Sequence, residues 1–247
     1  MLPYSNDYLL NKKIKIFQPL NGYRASTDAI LLSSMVTQVK QGNKILDVGS
    51  GTGPISLCLA ERFKNLSPEI FGIDIQNELV ELANLSAKEN NFNFLQFINA
   101  DIRHNVPLKN CSFQHVITNP PYTDHDLPSP NPSKATAHNM LDFSLTEWLK
   151  FCIKMTAPFG FFYIINRAEA LNEIISTLYG KMGNMKIIPL FSKNNQNAKR
   201  VIVIAQKDSK APTLIYKGIT LHLENGNYSP EAEAILRHGK SFFDISS

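Results

Sequence analysis

The sequence predicts an α/β protein: a doubly wound, mostly parallel seven-stranded sheet with an antiparallel hairpin at its edge. Three observations carry this. From residue 44 to about residue 180, short apolar runs alternate with amphipathic stretches of ten or more residues, the pattern of strands joined by crossover helices. The first run ends in a glycine-rich turn, Gly49, Gly51 and Gly53, that opens directly into a helix. The last two runs, 186–191 and 199–207, are separated by only about seven polar residues. That is too short for a crossover helix, so they pair antiparallel.

Taken in order, KIKIFQP (13–19) reads as an edge strand, Asn21-Gly22 as a turn, and Thr27 to Val36 as a helix. KILDVGSG (44–51) is a buried strand, and Pro54 starts a helix over 54–64, where a first-turn proline loses nothing. EIFGIDI (69–75) follows, and Asn77 is placed to cap a helix reaching Asn90. FLQFINAD (94–101) and HVITNPPY (115–122) are further strands; residues 145–157 form an amphipathic helix stopped by Pro158. GFFYIINR (160–167), a helix at 168–180, KIIPLF (186–191) and KRVIVIAQK (199–207) complete the series. Beyond it, LIYKGITLHL (214–223) reads as a hairpin and 230–238 as a short helix. The expected organisation is one domain, with an N-terminal elaboration (1–43), a core (44–207) and a C-terminal elaboration (208–247).

The 247 residues are 43% hydrophobic and 19% charged, enough apolar material for one sizeable core and unlike a disordered chain. Cys58, Cys111 and Cys152 never form a CxxC pair, which argues against a disulfide framework or zinc knuckle and for a reducing cytoplasm. The six histidines have no metal-ligand spacing, so no metal is expected. The longest apolar run, 159–165, cannot span a bilayer, and the first residues lack the basic and apolar regions of a secretory signal. A soluble cytoplasmic protein without a membrane partner is the expectation. Residues 1–24 and 191–247 each carry a net charge of +3 and residues 25–190 carry −2. Basic flanks suit a polyanion; an uneven surface is the plain alternative.

Asp47-Val48-Gly49-Ser50-Gly51-Thr52-Gly53 follows a buried strand. A dinucleotide fingerprint requires its third glycine at position 54, which is proline here. The spacing resembles instead the D-x-G-x-G-x-G loop that cradles S-adenosylmethionine in class I methyltransferases. That molecule has no phosphate and carries a positive sulfonium and ammonium. Asp47 is suited to offset the ammonium, through a water, where it would repel a pyrophosphate. Asp74, ending the second strand, is placed to accept from both ribose hydroxyls. Asp101, ending the third, can meet the adenine amino group. Ile75 and Ile102, which follow these acids, join the expected cofactor site. An ordinary glycine-rich strand-to-helix turn is the bland reading, and the two further acids weigh against it.

Asn119-Pro120-Pro121-Tyr122 closes the fourth strand, which neighbours the first in such sheets. An NH2 group conjugated to a ring or carbonyl is a poor nucleophile. Two acceptors on its two N–H bonds localise the nitrogen lone pair. The Asn119 side-chain oxygen and the Pro120 carbonyl suit that task, and the prolines stiffen the turn. Tyr122 offers a face for stacking a planar base, worth about 1–3 kcal/mol. Asn-Pro-Pro as a mere strand-ending turn is the alternative.

With both motifs, the sequence resembles class I S-adenosylmethionine-dependent methyltransferases of the NPPY amino-methylating group. It is similar in particular to the bacterial valine-tRNA (adenine-37) N6-methyltransferase family. QPLNGYRASTDAILL (18–32), SPNPSKATAH (129–138), AKRVIV (198–203) and NYSPEAEAILRHG (227–239) carry that finer likeness. The proline-rich stretch 127–134 departs from the best-known members and resembles a sub-branch of the family. The resemblance implies that Thr27 and Asp28 contact the cofactor and that Asn119 to Tyr122 hold the target adenine. It also implies methyl transfer to the exocyclic N6 of the adenine beside the anticodon, so that a tRNA anticodon stem-loop is the partner and no oligomer is required.

Residues 123–144 lie past NPPY and read as a substrate lid or as a passive surface loop. Lys134 and His138 are candidate substrate contacts within it. Arg24, Lys199 and Arg200 are candidates for the tRNA backbone, with solvated edge charges the equal reading for Lys199 and Arg200. A protein glutamine-N5 methyltransferase presents the same NH2 group to NPPY, but only about 43 residues precede the first core strand, too few for the helical substrate domain usual in those enzymes. Another RNA adenine-N6 methyltransferase, acting on rRNA, stays open. A DNA adenine methyltransferase would need room for a target-recognition domain. A non-catalytic RNA-binding protein has no need of both motifs.

Overall fold

The computed structural model describes residues 2–22, 24–104, 106–121 and 143–245. At the N-terminus β1 (Tyr4–Leu9) and β2 (Ile14–Pro19) pair antiparallel, from Tyr4↔Pro19 to Leu9↔Ile14. They form a separate two-stranded sheet, so residues 13–19 are not an edge of the main sheet. β1 alternates exposed and half-buried positions, and its polar sequence YSNDYL therefore lacks an apolar face by which to announce a strand. β2 is fastened to α3 (Asn77–Glu89): Lys15 N donates to Asn90 Oδ1 at 2.9 Å and Phe17 N to Ser86 Oγ at 3.0 Å.

The main sheet holds β3 (Lys44–Val48), β4 (Glu69–Asp74), β5 (Leu95–Asn99), β6 (Phe113–Thr118), β7 (Thr156–Arg167), β8 (Met182–Phe191) and β9 (Arg200–Lys207). Two short strands, β10 (Leu214–Ile215) and β11 (Ile219–Thr220), extend it. The order is β10-β8-β9-β7-β6-β3-β4-β5, with β11 also on β8. β3 to β7 run parallel, and β9 lies antiparallel between β7 and β8. The seven expected strands and the antiparallel β8–β9 pair are present.

The hairpin expected at 214–223 is not. β10 and β11 each pair parallel with β8, Ile215 opposite Ile187 and Ile219 opposite Leu190. Pro189, which has no N–H to give, lies between the two ladders. Gly218, at φ +82°, lets the chain pass against the Pro189 carbonyl where any Cβ would collide.

The helices are α1 (Thr27–Ser34), α2 (Pro54–Phe63), α3, α4 (Leu145–Met155), α5 (Leu171–Leu178), α6 (Pro230–Leu236) and α7 (Phe242–Ile245). The strand pleat sorts neighbouring residues into two cores. Ile45, Ile117, Tyr163, Ile165, Ile202 and Ile204 face the core built with α1, α2, α3 and α6. Leu46, Val48, Val116, Phe162, Ile164, Val201 and Val203 face the one built with α4 and α5. Burial on both faces explains why these strands read as unbroken apolar runs. α4 is started by a capping box in which Ser144 and Glu147 satisfy each other's backbone N–H groups. No helix among the described residues is long and apolar enough to cross a membrane.

Candidate active site

The glycine turn leaves the C-terminal end of β3 and enters α2. Gly49, Gly51 and Gly53 adopt φ of +73°, +55° and +82°, the left-handed region open mainly to glycine. Space presses at the same positions. A Cβ on Gly49 would lie 2.8 Å from Trp148 Cζ2, and one on Gly53 would fall on the Phe97 ring. The loop is pinned to β4, with Gly49 N and Ser50 N both donating to the Ile73 carbonyl at 2.9 and 3.0 Å.

Asp47 is fully enclosed. Its Oδ2 accepts from Ser56 Oγ at 2.8 Å, while Oδ1 has no hydrogen-bond partner among the described residues. Burial pushes its carboxyl up to about 7, against the bond from Ser56. Two further enclosed hydroxyls of the same turn, Ser50 Oγ and Thr52 Oγ1, likewise lack partners among the described residues. Buried polar atoms without partners are rare in folded proteins. A carboxylate oxygen and two hydroxyls left unpaired in one glycine turn fit a ligand that brings donors, with a cation at one end. An anion such as a pyrophosphate would face Asp47 instead.

Asp74 ends β4. Its Oδ2 accepts from Gly51 N at 2.8 Å and its Oδ1 from Gln76 N at 2.9 Å. Burial raises its carboxyl, partly offset by these backbone bonds. The sequence expects Asn77 to cap α3. In the structure Asn77 is the first helical residue, and Asp74 takes the N–H that precedes it. Asp74 thus braces the loop and keeps further lone pairs able to accept from a ligand.

Asp101 lies just beyond β5, half-buried, with both oxygens on the Arg103 guanidinium at 2.6–2.9 Å and His104 Nε2 at 3.7 Å. The Arg103 hydrogen bonds hold its carboxyl below the usual range. Ile75 and Ile102 follow the β4 and β5 ends. Asn99 Nδ2 donates to the carbonyls of Asp74 and Ile75 at 3.0 and 2.8 Å.

The fourth strand brings Asn119-Pro120-Pro121 to the same edge. β6 is the parallel neighbour of β3, and Val48↔Thr118 is the last registered pair of that ladder. Asn119 is half-buried, Pro120 buried and Pro121 exposed. Tyr122, Lys134 and His138 lie outside the described residues, as does the body of the expected 123–144 loop.

Of the remaining candidates, Arg24, Asp28 and Arg200 are engaged within the chain. Thr27 opens α1. Asp28, buried beside it, pairs through Oδ2 with Arg200 Nε at 2.7 Å, so one expected cofactor contact and one expected tRNA contact meet each other. Arg24 pairs with Asp7 at 2.6 Å and donates to Ser5 Oγ and to the Pro19 carbonyl. Lys199 is exposed. Among the described residues no group of three His, Cys, Asp or Glu side chains is placed to hold a metal ion.

Sequence reasoning misses four participants: Ser56, Phe97, Thr118 and Trp148. Trp148 left a signal, being the sole tryptophan and lying on the buried face of the amphipathic helix that follows the NPPY segment.

Residues 25–143 match the family model of the methyltransferase small domain. The fold is that of class I methyltransferases. A predicted O-methyltransferase of Agrobacterium tumefaciens superposes with a TM-score of 0.71 at 21% identity, covering 87% of this chain and 97% of that one. Among curated proteins, this chain is 27% identical over 238 residues to the tRNA1(Val) (adenine(37)-N6)-methyltransferase of Pedobacter heparinus, covering 94% of this chain and 96% of that protein. The protein of the same name from Parabacteroides distasonis is 26% identical, at 94% and 97% coverage. The glycine turn and the NPP turn stand side by side at the carboxyl ends of the neighbouring strands β3 and β6, where open α/β sheets hold their ligands.

Proposed function

We propose that this protein is an S-adenosylmethionine-dependent methyltransferase that acts on the exocyclic N6 amino group of adenine in tRNA, at position 37 beside the anticodon, with the anticodon stem-loop as the recognised element. The observation that supports this best is that the glycine turn and Asn119 directly follow the two members of the Val48↔Thr118 pair. An acceptor residue thus begins one loop next to another whose buried, unpaired polar atoms favour a cationic ligand. The relatives named above supply the substrate class.

S-adenosylmethionine, when bound, supplies an electrophilic methyl group on a positive sulfur. Asp47 offsets its ammonium through a water, Asp74 receives the ribose through its remaining lone pairs, and Gly49, Gly51 and Gly53 let the backbone approach closely. Thr27 and Asp28 approach the same ligand from the start of α1, and Ile75, Asp101 and Ile102 border its adenine. The side-chain oxygen of Asn119 and the carbonyl of Pro120 accept the two N–H bonds of the target amine and leave its lone pair directed at the methyl group. Pro121 stiffens the turn, and Tyr122 stacks on the base. An anticodon-loop adenine suits this pocket because it is already unpaired and can be splayed out. Lys134, His138 and Lys199 serve as tRNA contacts. Arg24 and Arg200, each held by one carboxylate, present their remaining N–H groups to phosphates.

Residues 1–247 work as one methyltransferase domain in the cytoplasm, with no oligomer required and without a metal. In support of one domain, β2 is bonded to α3, and β10 and β11 extend the core sheet. The test is transfer of labelled methyl from S-adenosylmethionine to total tRNA of a strain lacking the gene, followed by nucleoside analysis. N6-methyladenosine mapped to position 37 is the expected product. Label in rRNA instead, or in protein as methylglutamine, would keep the chemistry and move the target.

A further inference from the structure

We propose that Trp148 is a positioning residue for methyl transfer, which through Thr118 holds the Asn119-Pro120 turn in register with the glycine loop. The proposal rests on the function above. Trp148 Nε1 donates to Thr118 Oγ1 at 2.8 Å, and Thr118 Oγ1 donates to the Val48 carbonyl at 2.8 Å. The direction of this relay is forced. An indole N–H only donates, so the hydroxyl accepts from it and its single proton is left for Val48. Trp148 is 6% exposed and Thr118 is fully buried, so water does not compete for these bonds.

The location gives the relay its consequence. Val48↔Thr118 is the last registered pair between β3 and β6. The next residue on one strand is Gly49 and on the other Asn119, where the two working loops begin. Past this pair the backbone ladder no longer fixes the spacing of the strands, and the Thr118 side chain supplies the link instead. The indole also packs on the loop itself, since a Cβ on Gly49 would come within 2.8 and 2.9 Å of its Cζ2 and Cη2. Phe143 meets the other side of the ring edge-on, with centroids 6.4 Å apart. One side chain therefore touches the cofactor loop, the residue before Asn119 and Phe143 just ahead of α4. A purely space-filling role would need none of the polar contacts, and a phenylalanine or leucine would serve it.

Because Trp148 is the only tryptophan, its indole N–H gives a single resonance that reports on the relay directly. The experiment compares native protein with Thr118→Val, Thr118→Ser and Trp148→Phe. It reads kcat and KM for S-adenosylmethionine on tRNA, together with the indole resonance in titrations with S-adenosylhomocysteine. Thr118→Val keeps the shape and removes the hydroxyl. It is expected to lower kcat roughly tenfold or more, the scale of a small misplacement of reacting groups, with KM for S-adenosylmethionine within about threefold. Thr118→Ser is expected to restore kcat to within about threefold of native, and Trp148→Phe to match Thr118→Val. S-adenosylhomocysteine should move the indole resonance of the native protein, and Thr118→Val should shift that resonance upfield before any ligand is added.

Unchanged kcat in Thr118→Val, a loss confined to KM, or no rescue by serine would each overturn the proposal. Should Trp148→Phe fail to fold, the valine and serine pair decides, since both leave the indole in place. Should native protein transfer no methyl to tRNA, the function proposed above fails on that result alone. The positioning claim then stands or falls on whether S-adenosylhomocysteine moves the native indole resonance and not that of Thr118→Val.

Discussion

Replacing Asp47 with asparagine should make the protein more stable above pH 7 while weakening its hold on S-adenosylmethionine. The side chain is fully enclosed, with Ser56 on one oxygen and no partner among the described residues on the other. Its carboxyl is raised from 3.8 to about 7 by burial. That rise of about three pH units corresponds to roughly 4 kcal/mol between the two protonation states. Between about pH 4 and 7 the folded chain keeps a proton that the unfolded chain has released, so stability falls as pH rises through this window. Above pH 7 the full penalty of a buried charge is present.

Asparagine never carries that charge, but its NH2 must sit where an oxygen had no partner, at about 1–3 kcal/mol. The net gain near pH 8 is then roughly 1–3 kcal/mol, or about 3–10 °C in Tm for a chain of this length. Near pH 5 the gain should vanish or reverse. Thermal unfolding of both proteins from pH 5 to 8 checks the stability, and calorimetric titration with S-adenosylhomocysteine checks the affinity. Losing a charge-assisted contact should weaken binding about tenfold or more. A variant with the native pH profile, or with native affinity, would refute the reasoning.

Asn119→Ala should leave S-adenosylhomocysteine affinity nearly intact and raise the methylation barrier by roughly 3–4 kcal/mol, read as kcat at saturating cofactor. Gly53→Ala forces an alanine into φ +82° and a methyl onto the Phe97 ring. The backbone costs about 1–2 kcal/mol and the overpacking about 1–3, so a fall of about 5–20 °C in Tm should accompany lost cofactor binding. Arg62→Met removes the guanidinium that donates to the Ser33 and Val36 carbonyls at the end of α1. Two carbonyls left without it should lower stability by roughly 2–4 kcal/mol, measured by denaturant unfolding, with kcat unchanged at low temperature.

The parts of this protein legible in the sequence are those in which one residue type answers one physical demand. The glycines at 49, 51 and 53 are read correctly as a turn because their left-handed backbone excludes other residues. Strands β3, β6, β7 and β9 are legible because burial on both faces leaves apolar runs with few alternatives. β1 is hidden because neither of its faces is buried. The parallel pairing of β10 and β11 is hidden because it depends on Pro189 and Gly218, which meet only after folding. The site divides in the same way. Asp74 stands out by its place at a strand end, whereas its use as a brace for Gly51 N is a tertiary fact. Asp28 and Arg200, read separately as cofactor and tRNA contacts, prove to be partners across 172 positions of sequence.

That pairing changes how the basic flanks should be understood. Arg24 is held by Asp7 and Arg200 by Asp28. Each guanidinium keeps donors beyond those its carboxylate uses, but its charge is already largely compensated. Counterion release, the main source of affinity for a polyanion, scales with uncompensated cations. The net +3 at each end of the chain therefore overstates what these two arginines give to RNA binding. On the function proposed above, specificity for one loop adenine then falls mainly to the residues where β3 and β6 end. This matches the chemistry: a base lifted from a loop is recognised by the acceptors and stacking faces around it, and Asn119 directly follows the last pair that joins β6 to the strand bearing the glycine turn.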